Sequence, residues 1–172
     1  MASLNKSTFL RVSISYLPLI ILFISVLNEF DFNYLKIENF SFNFVYILIF
    51  YWTLRNPGSL GYFSIFLGGI INDVVIGIPI GISSLCYLII CAVTAYIRNI
   101  TLSPNFVKDW FSFLFTMILI NSIEVIIIDL IFLLEISYMN YAVNTGFTFL
   151  FYPIFFVIFN NLSQLISQNK ND

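Results

Sequence analysis

Asp73 carries the sharpest chemical question in this sequence. It stands in the run Asn72-Asp73-Val74-Val75-Ile76-Gly77-Ile78-Pro79-Ile80-Gly81, about one helical turn before a segment where glycine and proline interrupt helix. A carboxylate at such a depth is costly unless it meets a partner or water. Two chemistries suit it. It can accept hydrogen bonds from backbone N–H groups that a break across 77–81 leaves without helical partners, with Asn72 helping to fix the turn. Alternatively, a carboxylate at a broken helix can hold an ion or a polar substrate. A single carboxylate with no neighbouring cation favours the first reading.

A second set of polar residues is Asn121, Glu124 and Asp129. At 100° per residue, Glu124 lies about 60° to one side of Asn121 and Asp129 about 80° to the other. They form a stripe on one broad helix face, suited to bonding other helices of the bundle or a partner. A proton or cation path along it would want further charged groups, and the one cation inside an apolar run, Arg11, sits toward the opposite membrane face. Cys86 and Cys91 lie five residues apart, pointing to roughly opposite sides of a helix and too far apart to bridge. They read as small buried apolar residues. The chain has no histidine, the commonest general base and metal ligand. It has no HExxH, nucleophile elbow or phosphate loop. The sequence thus calls for no catalytic residue, no metal and no cofactor.

The elements that must position these residues are membrane helices. Hydrophobic residues make up 60% and charged residues 9% of 172, and mean hydropathy is +0.96. A soluble core with a polar shell needs far more charge than that. Lipid is the expected solvent for a single transmembrane domain over 1–172. Six apolar stretches are predicted as spans: 9–27, 42–54, 61–76, 80–97, 110–134 and 142–162. The second and third fall short of the roughly 20 residues a span requires and are expected to tilt little, thin the bilayer or pack inside the bundle. The first could pass for a signal peptide, but Asn28-Glu29-Phe30-Asp31 offers no small-residue cleavage site, so a retained helix is expected.

Basic residues orient the spans. With both termini in the cytoplasm, Lys6, Arg11, Arg55, Arg98, Lys108 and Lys170 all fall inside, and Lys36 alone lies outside with Glu29, Asp31 and Glu38. Tyr51, Trp52, Tyr62, Tyr96, Trp110 and Tyr138 stand near predicted span ends, where amphipathic rings favour the headgroup boundary. The scattered cations form no patch for nucleic acid. No internal repeat suggests an inverted-repeat transporter.

Six of the seven glycines fall between Gly58 and Gly81. Asn56-Pro57-Gly58-Ser59 reads as a tight turn. Gly68-Gly69 reads as a place where another backbone approaches the third helix closely. From Tyr51 to Gly81 the chain resembles the MreD family of the bacterial rod-shape system. The matching features are Tyr51-Trp52, Pro57, Gly68-Gly69 leading to Asp73, and Gly77-Ile78-Pro79-Ile80-Gly81. Isoleucine and asparagine stand where leucine is usual. The motif covers about thirty residues, while length, span count and topology agree over the whole chain.

The resemblance implies a non-enzymatic scaffold of the inner membrane, part of the cell-elongation complex (elongasome). Its expected partners are MreC and, through it, MreB filaments and the peptidoglycan synthesis enzymes RodA and its partner transpeptidase. A second copy of the chain is a further candidate. The family also resembles in architecture the substrate-binding subunits of energy-coupling-factor transporters, so capture of a vitamin is the alternative function. Within the scaffold reading, the stripe of Asn121, Glu124 and Asp129 is expected to serve the partner, and the glycine segment internal packing.

Overall fold

The computed structural model describes residues 16–27, 42–101, 105–133 and 138–171. Six helices and no strand occur among them: α1 (Leu17–Leu27), α2 (Phe44–Arg55), α3 (Tyr62–Ile76), α4 (Ile82–Ile100), α5 (Phe106–Leu130) and α6 (Tyr138–Asn171). Ile82–Ile100, Phe106–Leu130 and Tyr138–Ile166 are long and apolar enough to cross a membrane, whereas α1, α2 and α3 are shorter apolar helices. The predicted positions of Lys6, Arg11, Glu29, Asp31, Lys36 and Glu38 lie outside the described residues.

Short α2 forms the centre. Each of the nine residues from Val45 to Thr53 is at most 6% exposed. A helix apolar on every side can be enclosed without burying an unsatisfied polar face, and α2 is enclosed by α1, α4 and α6. Phe50 adds an edge-to-face contact with Phe113 of α5. Tyr51 and Trp52, predicted at the headgroup boundary, are fully buried in this core at 1% and 0% exposure. The hydropathy profile ends there because Arg55 follows, but the end of α2 packs against the longer helices α4, α5 and α6. Tyr62, Tyr96 and Tyr138 are exposed, in contrast.

The long helices are apolar outward. On α5, Phe111, Phe115, Ile118, Ile126 and Leu130 are all exposed at helical spacing on one face, while Phe113, Thr116, Met117 and Ile120 are buried on the other. Leu150, Ile154 and Val157 form the corresponding exposed face of α6. Exposed aliphatic and aromatic side chains in continuous stripes suit a lipid solvent.

Helix ends differ from the hydropathy windows by several residues. Helix α5 starts at Phe106, where Asn105 Oδ1 accepts from Val107 N at 3.0 Å, four residues before the predicted span. Helix α6 runs to Asn171, past the predicted end at 162, because Ser, Gln and Asn continue a hydrogen-bonded helix although they lower hydropathy. The two properties have different physical origins, so their boundaries need not coincide.

Candidate functional site

Among the described residues, polar side chains gather at three places, the first being the turn between α3 and α4. Helix α3 stops at Gly77, whose left-handed conformation (φ 80°, ψ 25°) lets Gly77 N and Ile78 N both donate to Asp73 O, at 2.9 and 3.1 Å. The chain reverses through Pro79 and starts α4 at Gly81, again at positive φ (108°). Glycine takes such φ values without steric cost. Gly81 brings no side-chain cap, and Asp73 supplies one from the neighbouring helix. Its Oδ2 accepts from Gly81 N at 2.6 Å and its Oδ1 from Ser83 N at 2.8 Å. Asp73 is fully buried, and its negative charge faces the positive end of the α4 dipole. Asn72 Nδ2 donates to Ser83 Oγ at 2.9 Å.

One turn back, Gly69 holds the two helices together. A Cβ built on it would lie 2.5 Å from Ser84 N, so only glycine fits. Ser84 Oγ also donates to Phe66 O at 3.1 Å. Gly68 has a different role from the close approach expected of the pair. It faces Leu22 of α1, whose Cδ2 would stand 3.6 Å from an added Cβ, an ordinary contact. Pro57 occupies the second position of the turn between α2 and α3, where Ser59 N and Ser59 Oγ both donate to Asn56 O at 3.0 and 2.8 Å.

The second gathering joins α2, α5 and α6. Glu124 accepts from Tyr46 Oη at 3.0 Å and from Tyr141 Oη at 3.2 Å. Asn121 Nδ2 donates to Thr145 Oγ1 at 2.5 Å, and that hydroxyl donates to Tyr141 O at 2.7 Å. Tyr138 Oη donates to exposed Asp129 at 3.3 Å. The stripe of Asn121, Glu124 and Asp129 thus faces the chain's own α6 and α2. Its tyrosine partners carry no sequence mark that singles them out among ten tyrosines.

At the third, Arg55 at the end of α2 pairs with Asp109 in the first turn of α5, with Nη2 2.6 Å from Oδ2. Arg55 also lies over the Phe156 ring, 5.6 Å from its centroid. Arg98 Nη1 donates to Thr53 O at 2.9 Å, placing a cation on the negative end of the α2 dipole. Asn56 Nδ2 donates to Ser163 Oγ of α6 at 3.0 Å. These contacts collect Arg55 and Arg98 at one end of the bundle, near the start of α5 that carries Lys108; it is called the basic end below. The sequence places Arg55 and Asp109 in two separate loops, and neither neighbourhood signals the pair. Trp110, expected at a headgroup boundary, directs its indole N–H to Phe149 O of α6 at 3.0 Å.

Cys86 and Cys91 are buried free thiols, and Cys91 Sγ lies 3.7 Å from Thr53 Oγ1. Among the described residues no three His, Cys, Asp or Glu side chains gather as metal ligands. Chemically, these sites join helices through hydrogen bonds and one ion pair. No protein-family model, curated protein or solved structure matches the chain.

Proposed function

We propose that this chain is a non-enzymatic scaffold of the bacterial inner (cytoplasmic) membrane that binds MreC and thereby links MreB filaments to peptidoglycan synthesis. One observation carries the reading. Asp73, Asn121, Glu124 and the Arg55–Asp109 pair all find their partners within the chain's own bundle, while the faces turned outward on α5 and α6 are apolar. A protein built this way meets other molecules of the bilayer through helix packing, which relies on close van der Waals contact. The MreD-like motif adds support, since Gly69, Asp73, Gly77 and Gly81 each have a geometric task in the turn between α3 and α4.

In this reading the basic end lies in the cytoplasm by the positive-inside rule, both termini are cytoplasmic, and all six helices belong to the membrane domain. Short α2 needs no full span of its own because other helices surround it. The partner surface moves from the Asn121–Asp129 stripe to the apolar outer faces. The test is co-expression with MreC from the same genome, mild solubilisation and purification through a tag on this chain. MreC is expected to copurify. Recovery of the chain free of MreC would defeat the reading.

The convergence of Tyr46, Tyr141, Glu124, Asn121 and Thr145 favours a second reading, the vitamin-binding subunit of an energy-coupling-factor transporter. Polar and aromatic groups meeting between helices are the usual lining of a small-molecule site. Stoichiometric vitamin binding by the purified protein, lost in Glu124→Leu, would establish it over the scaffold.

A further inference from the structure

Among the described residues, three buried side-chain atoms find no hydrogen-bond partner in the protein: Trp52 Nε1, Arg55 Nε and Tyr152 Oη. Buried polar groups are ordinarily paired, so each such atom calls for an explanation. All three can donate. Trp52 and Tyr152 are fully buried, at 0% exposure. Trp52 packs against Phe159 of α6, whereas Arg55 Nε and Tyr152 Oη both belong to the surroundings of the Arg55–Asp109 pair.

Ring contacts fix where Tyr152 lies. It stacks on Phe113, with centroids 4.6 Å apart and planes 21° apart, and Phe113 follows Asp109 by one turn on the same buried face of α5. Phe156 follows Tyr152 by one turn along α6. Its ring stands 6.1 Å from that of Tyr152, and Arg55 lies over it. Tyr152 is therefore one layer beneath the ion pair, and its hydroxyl is within electrostatic reach of both Asp109 and Arg55. The bond to Asp109 uses Nη2 of Arg55 and leaves Nε over.

What these two donors lack is an acceptor. A water would accept from them but would add protons of its own. An anionic phosphate brings acceptor oxygens only, spread over a tetrahedral group, so it can meet donors from α2 and α6 together. A guanidinium matches that geometry well. The charge agrees, because Arg55, Arg98 and exposed Lys108 outnumber Asp109 at the basic end. Arg55 is the way in: its side chain is 26% exposed against 4% for Asp109, and so long a chain can shift to bring an oxygen to Tyr152. Helices α4, α5 and α6 are long and apolar enough to cross a membrane, which sets their ends at headgroup level, and basic pockets between such helices suit acidic headgroups.

We infer that Arg55 and Tyr152 form a phosphate site at the basic end, which takes the headgroup of an acidic phospholipid. The Arg55 guanidinium and the Tyr152 hydroxyl donate to its oxygens. The site rests on these contacts and on the membrane setting, whichever function the chain has.

The test uses the full-length protein, delipidated in maltoside micelles and phosphate-free buffer. Its thermal midpoint is followed as phosphatidylglycerol, diacylglycerol or inorganic phosphate is added. Diacylglycerol carries the tails without the phosphate. Phosphatidylglycerol is expected to raise the midpoint and diacylglycerol to leave it unchanged. Tyr152→Phe keeps the ring stack and removes one donor, and Arg55→Lys keeps the charge and removes Nε. Each variant should need about tenfold more phosphatidylglycerol for the same rise, the scale of one hydrogen bond to a charged group. Without lipid, Tyr152→Phe should melt no lower than the wild type, since it deletes an unpaired buried donor. A rise with inorganic phosphate alone, weakened in the same variants, supports the site and makes soluble phosphate a sufficient source. Equal responses to phosphatidylglycerol in the wild type and Tyr152→Phe would overturn it, as would an equal rise with diacylglycerol. So would a Tyr152→Phe midpoint lowered by the same amount with and without lipid, the result expected of an internal water. Should Arg55→Lys fail to accumulate, Tyr152→Phe alone decides.

Discussion

The turn between α3 and α4 and the contact between α5 and α6 both join neighbouring helices through a carboxylate, yet by opposite means. At the first, backbone meets backbone: Gly69 lies against Ser84, and Asp73 accepts from two main-chain N–H groups. At the second, side chain meets side chain, Glu124 to Tyr46 and Tyr141 and Asn121 to Thr145. Backbone contact leaves no room for adjustment, so it restricts the sequence tightly. A tyrosine–carboxylate bond can be lost or moved while the apolar helix face around it still packs.

If that difference is real, the largest effect should come from Gly69. Gly69→Val is expected to cost at least the ~3 kcal/mol upper end of overpacking penalties, because the obstacle is the Ser84 backbone. The variant should accumulate poorly or melt well below the wild type in a detergent thermal-shift assay. Gly68→Ala, which meets only the Leu22 side chain at 3.6 Å, should be near neutral. Equal tolerance at the two glycines would remove the contrast.

Asp73 comes next. Asp73→Leu leaves two N–H groups without an acceptor, at about 1–3 kcal/mol each, whereas Asp73→Asn keeps an acceptor oxygen and should lose about half as much. If Asn is as damaging to function as Leu while the protein accumulates normally, the charge itself matters and the site does more than cap α4.

The side-chain contact should be softer. Tyr141→Phe removes one of two bonds to Glu124, and interhelical hydrogen bonds in membranes average about 0.6 kcal/mol, so the thermal midpoint should barely move. Glu124→Gln should also be mild. A loss comparable to Asp73→Leu from either would show that the two regions are equally constrained.

How far each region could be read in the sequence follows the same division. The turn between α3 and α4 is local: Asp73, Gly77, Pro79 and Gly81 fall within nine residues, and Asp73, the glycines and the need to satisfy broken backbone define the answer. The polar stripe on α5 was visible as a stripe, but its partners Tyr46, Tyr141 and Thr145 lie on other helices, and periodicity within one helix says nothing of what it faces. The all-helical class followed from composition. The burial of Tyr51 and Trp52 did not, since hydropathy cannot distinguish a helix end in the headgroups from one enclosed by longer helices. The Arg55–Asp109 pair and the Trp110 bond to Phe149 O are likewise long-range pairings with no local trace.

The scaffold reading makes the outer apolar faces the place where partners are met, and photo-crosslinking tests that most directly. A photoreactive phenylalanine analogue placed singly at exposed Phe63, Phe115, Ile126 and Leu150, and at buried Ile120 as control, is irradiated in cells expressing MreC. An adduct containing MreC is expected from at least one outer face and none from Ile120. Adducts from no outer position, in a protein that accumulates and inserts normally, would contradict the scaffold.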